Sequence, residues 1–211
     1  MSEVKSAKKK RKTNNKVLGN TFERKMAKSF SLWWAGDEIS ISRVSGSGAR
    51  KHIAMYGGDL QPSSAKAEPF PFCIECKKQQ RWSLNNLLLG LPGEPLFGFL
   101  GQCIEAARQA ENNIPLLVCA ANRQPPLVFF DTMTIHSYVP DFLKRFRAVF
   151  RFRIAHNQLP EGIRTKYHLT HLDQTLVPLQ AFLTAFSRQD FQTEFVRRKR
   201  LQYPRRASKR S

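Results

Sequence analysis

The chain has 211 residues and a formal net charge of +19, from 35 Lys and Arg against 16 Asp and Glu. That length allows one domain with a sizeable core; no apolar run approaches the roughly 20 residues needed to span a bilayer, and Met1-Ser-Glu-Val-Lys5 is unlike a secretory leader. Residues 1–16 hold seven basic residues and one acid, and residues 194–211 hold eight and one, so +13 of the +19 sits at the two ends; such ends seek polyanions, nucleic acid ahead of anionic membrane.

In chain order, residues 1–16 are expected to form a disordered basic arm. Lys8 to Lys12 also has the composition of an import signal, as any basic DNA-binding arm would. A helix is predicted from Asn20, because Phe22, Met26, Phe30 and Trp33/Trp34 recur at helical spacing and Gly36 can stop it. Glu23 falls at the edge of that apolar face. Two readings stand for it: a functional carboxylate aimed at whatever the helix packs on, or a structural residue, since Asn20-x-x-Glu23 has the form of a capping box.

Glu38 to Val44 alternates and predicts a strand. Ser45-Gly-Ser-Gly-Ala-Arg-Lys-His52 is a glycine- and serine-rich basic loop. Its backbone amides, the hydroxyls of Ser45 and Ser47 and the cations Arg50 and Lys51 could close on phosphate; the bland reading is a plain flexible loop. Gly57-Gly58 then delivers Asp59 and Leu60, residues 61–69 make a hairpin-like connection, and Phe70 to Lys77 is the next strand. Lys78, just beyond it, is a further candidate DNA contact. Residues 78–95 turn polar and then leucine-rich, with Pro92-Gly93 and Pro95 breaking any long helix.

Leu96 to Asn112 predicts a helix, Ile114 to Ala121 a strand buried on both faces, and Leu127 to Asp131 another strand. Helix, three strands, helix and two strands make an α/β domain with a mixed sheet. Further on, Phe150, Phe152 and Ile154 alternate with Arg151 and Arg153, which predicts an edge strand with one basic face, paired with residues 167–172. One terminal helix is expected from Pro178 to about Arg200. The chain thus divides into an arm (1–16), a core (17–131), a C-terminal extension (132–193) and a basic tail (194–211).

The chemistry gathers at Asp59 through Lys77. Glu75 and Lys77 are two apart, so on a strand they leave the same face. Beside apolar neighbours, such a pair is costly unless matched to each other or to a metal. With Asp59 they form a hard-cation grouping. Mg²⁺, with Mn²⁺ as a substitute, prefers carboxylate oxygens and keeps several waters. Asp59 and Glu75 are the candidate ligands, with the backbone carbonyl of Cys76 beside them. Lys77 could orient or deprotonate an attacking water, or stabilise developing charge. The other candidates are weaker. Cys73-x-x-Cys76 lacks the second Cys or His pair that a zinc site needs. Cys73, Cys76, Cys103 and Cys119 lie in apolar surroundings and suit reduced thiols in a cytosolic compartment. The five histidines are scattered.

Glu23, Asp59 and Glu75-Cys-Lys77 resemble the core of the PD-(D/E)XK nuclease superfamily. Within it, their order resembles the archaeal-type Holliday junction resolvases. These open with Gly-x-x-x-Glu-Arg, here Gly19-Asn-Thr-Phe-Glu23-Arg24. A strand ending in Arg-x-x-Gly-Ser follows, here Arg43-Val-Ser-Gly46-Ser47, and then an Asp with an apolar neighbour, here Asp59-Leu60. Glu-Val-Lys comes next, here Glu75-Cys-Lys77, with a helix and an Ile-Pro-apolar strand after it, here residues 96–112 and Ile114-Pro115. The likeness covers roughly residues 17–131. Gly58 stands where many relatives have Pro, the 61–69 connection is long, and residues 78–95 and those after 132 have no counterpart.

The resemblance implies a restriction-endonuclease-like α/β core, a mixed β-sheet flanked by helices, with a C-terminal extension. It implies that Asp59, Glu75 and Lys77 are catalytic, that Glu23 is a further catalytic and metal-site residue, and that Arg24, Arg43 and Ser47 touch phosphate. The activity expected is Mg²⁺-dependent endonucleolytic cleavage of DNA to 5′-phosphate and 3′-hydroxyl ends. A four-way junction is the favoured substrate and a two-fold homodimer the implied assembly. The expected location is cytoplasmic, at the nucleoid, or in the host cytoplasm if the chain is viral. Two alternatives stand beside this: a nuclease of the same superfamily acting on linear duplex or single strands, and a non-catalytic basic nucleic-acid-binding protein.

Overall fold

The computed structural model describes residues 2–44, 57–79, 82–89, 91, 94–110, 114–121 and 124–202, with side chains described within 17–199. The loop cations and hydroxyls Ser45, Ser47, Arg50 and Lys51 lie outside the described residues.

Helix α1 spans Ser2–Ala35. It therefore begins well before Asn20, and the backbone of the expected disordered arm is helical from Ser2. Lys, Arg and Ala are good helix formers, and no Gly or Pro interrupts the run before Gly19. Asn20 sits inside the helix, so the capping-box reading of Asn20 and Glu23 fails. From Phe22 onward the buried stripe is the predicted one: Phe22, Met26, Phe30 and Trp34. Two indole N–H groups anchor the end of the helix, Trp33 Nε1 to the Phe186 carbonyl and Trp34 Nε1 to that of Ala67, each at 2.7 Å. Gly36, at φ +74, stops it.

The strand expected over 38–44 is only Ile41–Arg43 (β1). The reason is Asp37. Its Oδ1 accepts from the amides of Ile39 and Ser40, and its Oδ2 from the Ser40 hydroxyl, which folds residues 37–40 into a turn. These bonds, the first of them from Ser40, and Lys66 hold the Asp37 carboxyl well below its ordinary range. β1 pairs antiparallel with Leu60–Pro62 (β2), Arg43 opposite Leu60.

The main sheet has five strands: β3 (Phe72–Lys78), β4 (Ile114–Ala120), β5 (Leu127–Asp131), β6 (Phe150–Ile154) and β7 (Leu172–Pro178), in the order β3-β4-β5-β7-β6. β3 and β4 run parallel and the other pairs antiparallel, so the sheet is mixed, as expected. The α2 helix (Leu84–Leu88) and the α3 helix (Pro95–Gln109) form the crossover between β3 and β4. The remaining helices are α4 (Thr132–Tyr138), α5 (Glu161–Tyr167), α6 (Leu179–Ala185) and α7 (Arg188–Gln202). One face of the sheet packs on α1, α4, α6 and α7, through Phe72, Ile74, Phe130, Phe182 and Phe191. The other packs on α3, through Leu96, Phe97, Leu100, Leu117, Phe129 and Leu176. No described helix is long and apolar enough to cross a membrane.

Past residue 132 two expectations change. β6 is the predicted edge strand, but its partner is β7, with Ile154 opposite Leu172, and Tyr167 belongs to α5. The polar run Asp173-Gln174-Thr175 hides this strand in the sequence. In the fold all three are buried, Arg151 donating to Asp173 and the hydroxyls of Thr132 and Thr175 meeting at 3.0 Å. The terminal helix is also two helices. Phe186 is extended, and Ser187 starts α7: its amide and hydroxyl donate to Asp190 Oδ2 at 2.7 and 3.0 Å. Arg145 clasps the same carboxylate through both terminal nitrogens.

The α7 helix is thereby bound into the same core as α1, Phe191 lying 4.9 Å from Phe72 between ring centroids. Phe191→Ala is expected to cost about 3–5 kcal/mol in urea denaturation, whereas Met133→Ala, at an exposed position, should stay within about 0.5 kcal/mol.

Candidate active site

β3 is an edge strand, with β4 on one side only. Along an extended strand the backbone groups alternate between its two edges. Ile74 and Cys76 face the free one. Gly58 bridges to Ile74 there, and Asp59 N–H donates to the Ile74 carbonyl at 2.7 Å. The Asp59 carboxylate then accepts from the Cys76 amide at 2.9 Å. Val44 N–H donates to the Asp59 carbonyl at 2.8 Å, which fastens β1 to the same point.

Only glycine permits this approach. A Cβ on Gly57 would lie 2.5 Å from the Ala106 carbonyl oxygen of α3, and one on Gly58 2.4 Å from that of Ile74. Gly58 also has φ +89. The departure from Pro noted in the sequence therefore has a steric basis. Asp59 is pinned by backbone on both sides.

Glu75 and Lys77 share the face of β3 turned toward α3, as the period of two requires. Lys77 Nζ donates to Glu75 Oε1 at 2.5 Å and stands 5.6 Å from the centroid of Phe99 on α3. The Glu75 side chain is 5 % exposed and that of Lys77 21 %. Burial, and then the charge of Glu75, push the Asp59 carboxyl up to about 7, against the pull of the Cys76 amide and Lys77; Glu23 adds a smaller upward push. Burial pulls Lys77 down, but Glu75, by charge and hydrogen bond, and Asp59 outweigh it, so its ammonium is held above the ordinary range. In the metal-free protein Lys77 is thus held as a cation, paired with Glu75.

Two buried carboxylates side by side, with one lysine as counter-charge, suit a divalent cation with hard-oxygen preference. The Cys76 residue turns its amide to the same free edge, and its carbonyl with it. Among the described residues no group of three or more His, Cys, Asp or Glu is placed to hold a metal. The residues that could hold such an ion are Asp59, Glu75 and that carbonyl, a donor set of the kind Mg²⁺ takes, with one or two carboxylates plus water.

Glu23 sits at the margin of the α1 stripe, as its spacing predicts. Its carboxylate is taken by Arg43 of β1, whose Nε donates to Glu23 Oε2. The fold brings together Glu23, Arg43, Asp59, Glu75 and Lys77. Arg24 is exposed on α1, and Lys78 is exposed at the end of β3, on the opposite face from Lys77. The sequence reading missed the Glu23–Arg43 pair, because nothing in the spacing of the two residues announces it. It also missed the Phe99 ring beside Lys77. The close approach at Gly57 was foreshadowed by the Gly-Gly pair. All four cysteines are free, buried thiols, held above their ordinary pKa by burial first. They are inert as nucleophiles.

Two outcomes follow. Gly58→Ala should destabilise the protein by roughly 1–3 kcal/mol, read as a lowered urea midpoint. The second concerns pH. Folded Asp59 keeps a proton that the unfolded chain releases near pH 4. The stability this contributes is fully present below about pH 4 and is lost as pH rises through about 7. Metal-free protein should therefore lose stability across that window, and Asp59→Asn should flatten the loss in urea titrations made across the range.

Neither the curated proteins nor the solved structures contain a match to this chain. A family model does match, over residues 14–185, and its description is "Phage putative PDDEXK endonuclease". That span holds Glu23, Arg43, Asp59, Glu75 and Lys77, and it continues past residue 131 through β6, β7 and α6. The chain belongs to this phage PDDEXK endonuclease family.

Proposed function

We propose that the protein is a Mg²⁺-dependent DNA endonuclease, with Asp59, Glu75 and Lys77 as its catalytic residues. The observation that carries this reading is the docking of Asp59 on the free edge of β3, which sets its carboxylate beside the Glu75–Lys77 pair. Asp59, Glu75 and the Cys76 carbonyl would hold the metal. When bound, it neutralises charge on the transferring phosphorus and lowers the pKa of a water at the site.

The chain's own residues do the rest. Asp59, whose carboxyl is raised first by burial and then by the charge of Glu75, would bind as the carboxylate, its proton released to solvent. Lys77, held as an ammonium over Phe99, orients the attacking water or lends positive charge to the phosphate oxygens. Arg43, on the strand fastened to Asp59, would touch phosphate. Arg24, Lys78 and the loop residues Ser45, Ser47, Arg50 and Lys51 would add backbone contacts, and the basic ends salt-dependent affinity. Mn²⁺ should substitute for Mg²⁺, and the products should carry 5′-phosphate and 3′-hydroxyl ends.

The preference for branched DNA and the two-fold dimer are finer claims, supported by the motif order shared with junction resolvases. Cleavage of linear duplex or of single strands is equally consistent with the family.

Labelled four-way junction, duplex and single-stranded DNA, incubated with Mg²⁺ or EDTA, test all of this. The intact protein should cleave with Mg²⁺ and not with EDTA. Asp59→Asn, Glu75→Gln and Lys77→Ala should each lower the rate by about a hundredfold to ten-thousandfold while remaining folded. Equal cleavage of all three substrates would remove the junction preference. No cleavage of any by the intact chain would leave a non-catalytic DNA-binding protein.

A further inference from the structure

The strongest feature outside the Asp59–Glu75–Lys77 group is the Glu23–Arg43 ion pair. It links helix α1 to strand β1, and its side chains are 14 % and 22 % exposed. Burial of this degree limits the competition from water. The pair lies against the site. Arg43 is opposite Leu60, its neighbour Val44 hydrogen-bonds to Asp59, and the charge of Glu23 is felt at Asp59.

The geometry of the bond matters. Glu23 takes the Nε–H of Arg43. A guanidinium has five N–H donors in a planar fork. Use of Nε leaves both terminal amino groups, and neither has a partner among the described residues. Held by Nε in a fixed plane, such a fork can present two parallel N–H groups to two oxygens of one phosphate. Glu23 meanwhile is not grouped with two further metal-ligating side chains among the described residues.

We infer that Glu23 is a positioning residue, which fixes the plane of the Arg43 guanidinium so that its terminal amino groups grip the phosphate next to the one being cleaved or the reacting phosphate itself. This rests on the nuclease reading above. It gives Glu23 a role through Arg43 in place of one in the metal shell. It also gives a carboxylate on a helix at the rim of a polyanion-binding site something to do. Alone it would repel the substrate; paired, it removes the entropy that a free arginine would lose on gripping phosphate.

Two measurements on the same variants test it: calorimetric titration of Mn²⁺ into the full chain, and single-turnover cleavage of labelled DNA at saturating Mg²⁺. Glu23→Gln is expected to keep Mn²⁺ affinity within about twofold and to lower the cleavage rate by about tenfold or more. In an Arg43→Ala background the same change should have no further effect. Arg43→Lys keeps the charge and the ion pair but loses the fork, so it should be nearly as slow as Arg43→Ala. Glu23→Asp, which keeps a carboxylate, should recover part of the rate.

Several results would overturn the inference. A loss of Mn²⁺ affinity of about tenfold or more in Glu23→Gln would make Glu23 a ligand. Multiplying effects in the double variant would make the two roles independent. Wild-type cleavage by Arg43→Lys, with only a lowered denaturation midpoint, would make the pair structural. Each of these leaves the nuclease reading standing. An intact chain that cleaves nothing removes that reading, and this inference with it.

Discussion

Two hydrogen bonds on the free edge of β3 organise the molecule's chemistry. Asp59 N–H meets the Ile74 carbonyl, and the Cys76 amide meets the Asp59 carboxylate. Without them Asp59 is a loop residue and Glu75–Lys77 an ordinary buried ion pair. With them two carboxylates are held together out of water, a state that a polypeptide does not maintain cheaply. The Gly57-Gly58 pair makes the approach possible, since any Cβ there would strike a backbone carbonyl. The position of the strand makes it available: an interior strand would have spent the same Ile74 and Cys76 groups on a sheet partner.

The surrounding fold serves that edge. α1 covers one face of β3 with Phe22, Met26, Phe30 and Trp34, and sets Glu23 at the rim. α3 covers the other and supplies Phe99 beside Lys77. β1 hangs from Asp59 through Val44 and carries Arg43. α7, clamped by Ser187, Asp190 and Arg145, closes the core behind Phe72. Arg188 ties that helix back to the carbonyls of Lys66 and Glu68, in the turn that leads into β3. The residues beyond 131 thus belong to the same sheet and core, and the family match runs through them as well.

Much of this was legible in the residues. The α1 stripe and the shared face of Glu75 and Lys77 follow from periodicity, the Gly36 stop from residue type, and the strands β3, β4 and β5 from short apolar runs bounded by breakers. What the sequence concealed was of two kinds. Some was local chemistry that overrides pattern: Asp37 turns residues 37–40 away from strand, and Ser187 restarts a helix that hydrophobic spacing reads as continuous. The Ser187-x-x-Asp190 spacing was there to be read. The rest is tertiary. β7 carries Asp173-Gln174-Thr175 right after its first residue, polar residues whose burial depends on Arg151 and Thr132, each distant in sequence. The Glu23–Arg43 pair is likewise invisible until α1 and β1 are packed. The motif order was enough to suggest the superfamily, but not to specify the DNA structure that is cut.

The account stands or falls on a cation held between Asp59, Glu75 and the Cys76 carbonyl. Anomalous diffraction from crystals soaked in Mn²⁺ tests it most directly. The account predicts a single strong peak at the free edge of β3, with oxygen ligands from those three residues and water, and its loss in Asp59→Asn. A peak elsewhere, or none there in protein whose Asp59 and Glu75 are in place, would contradict it.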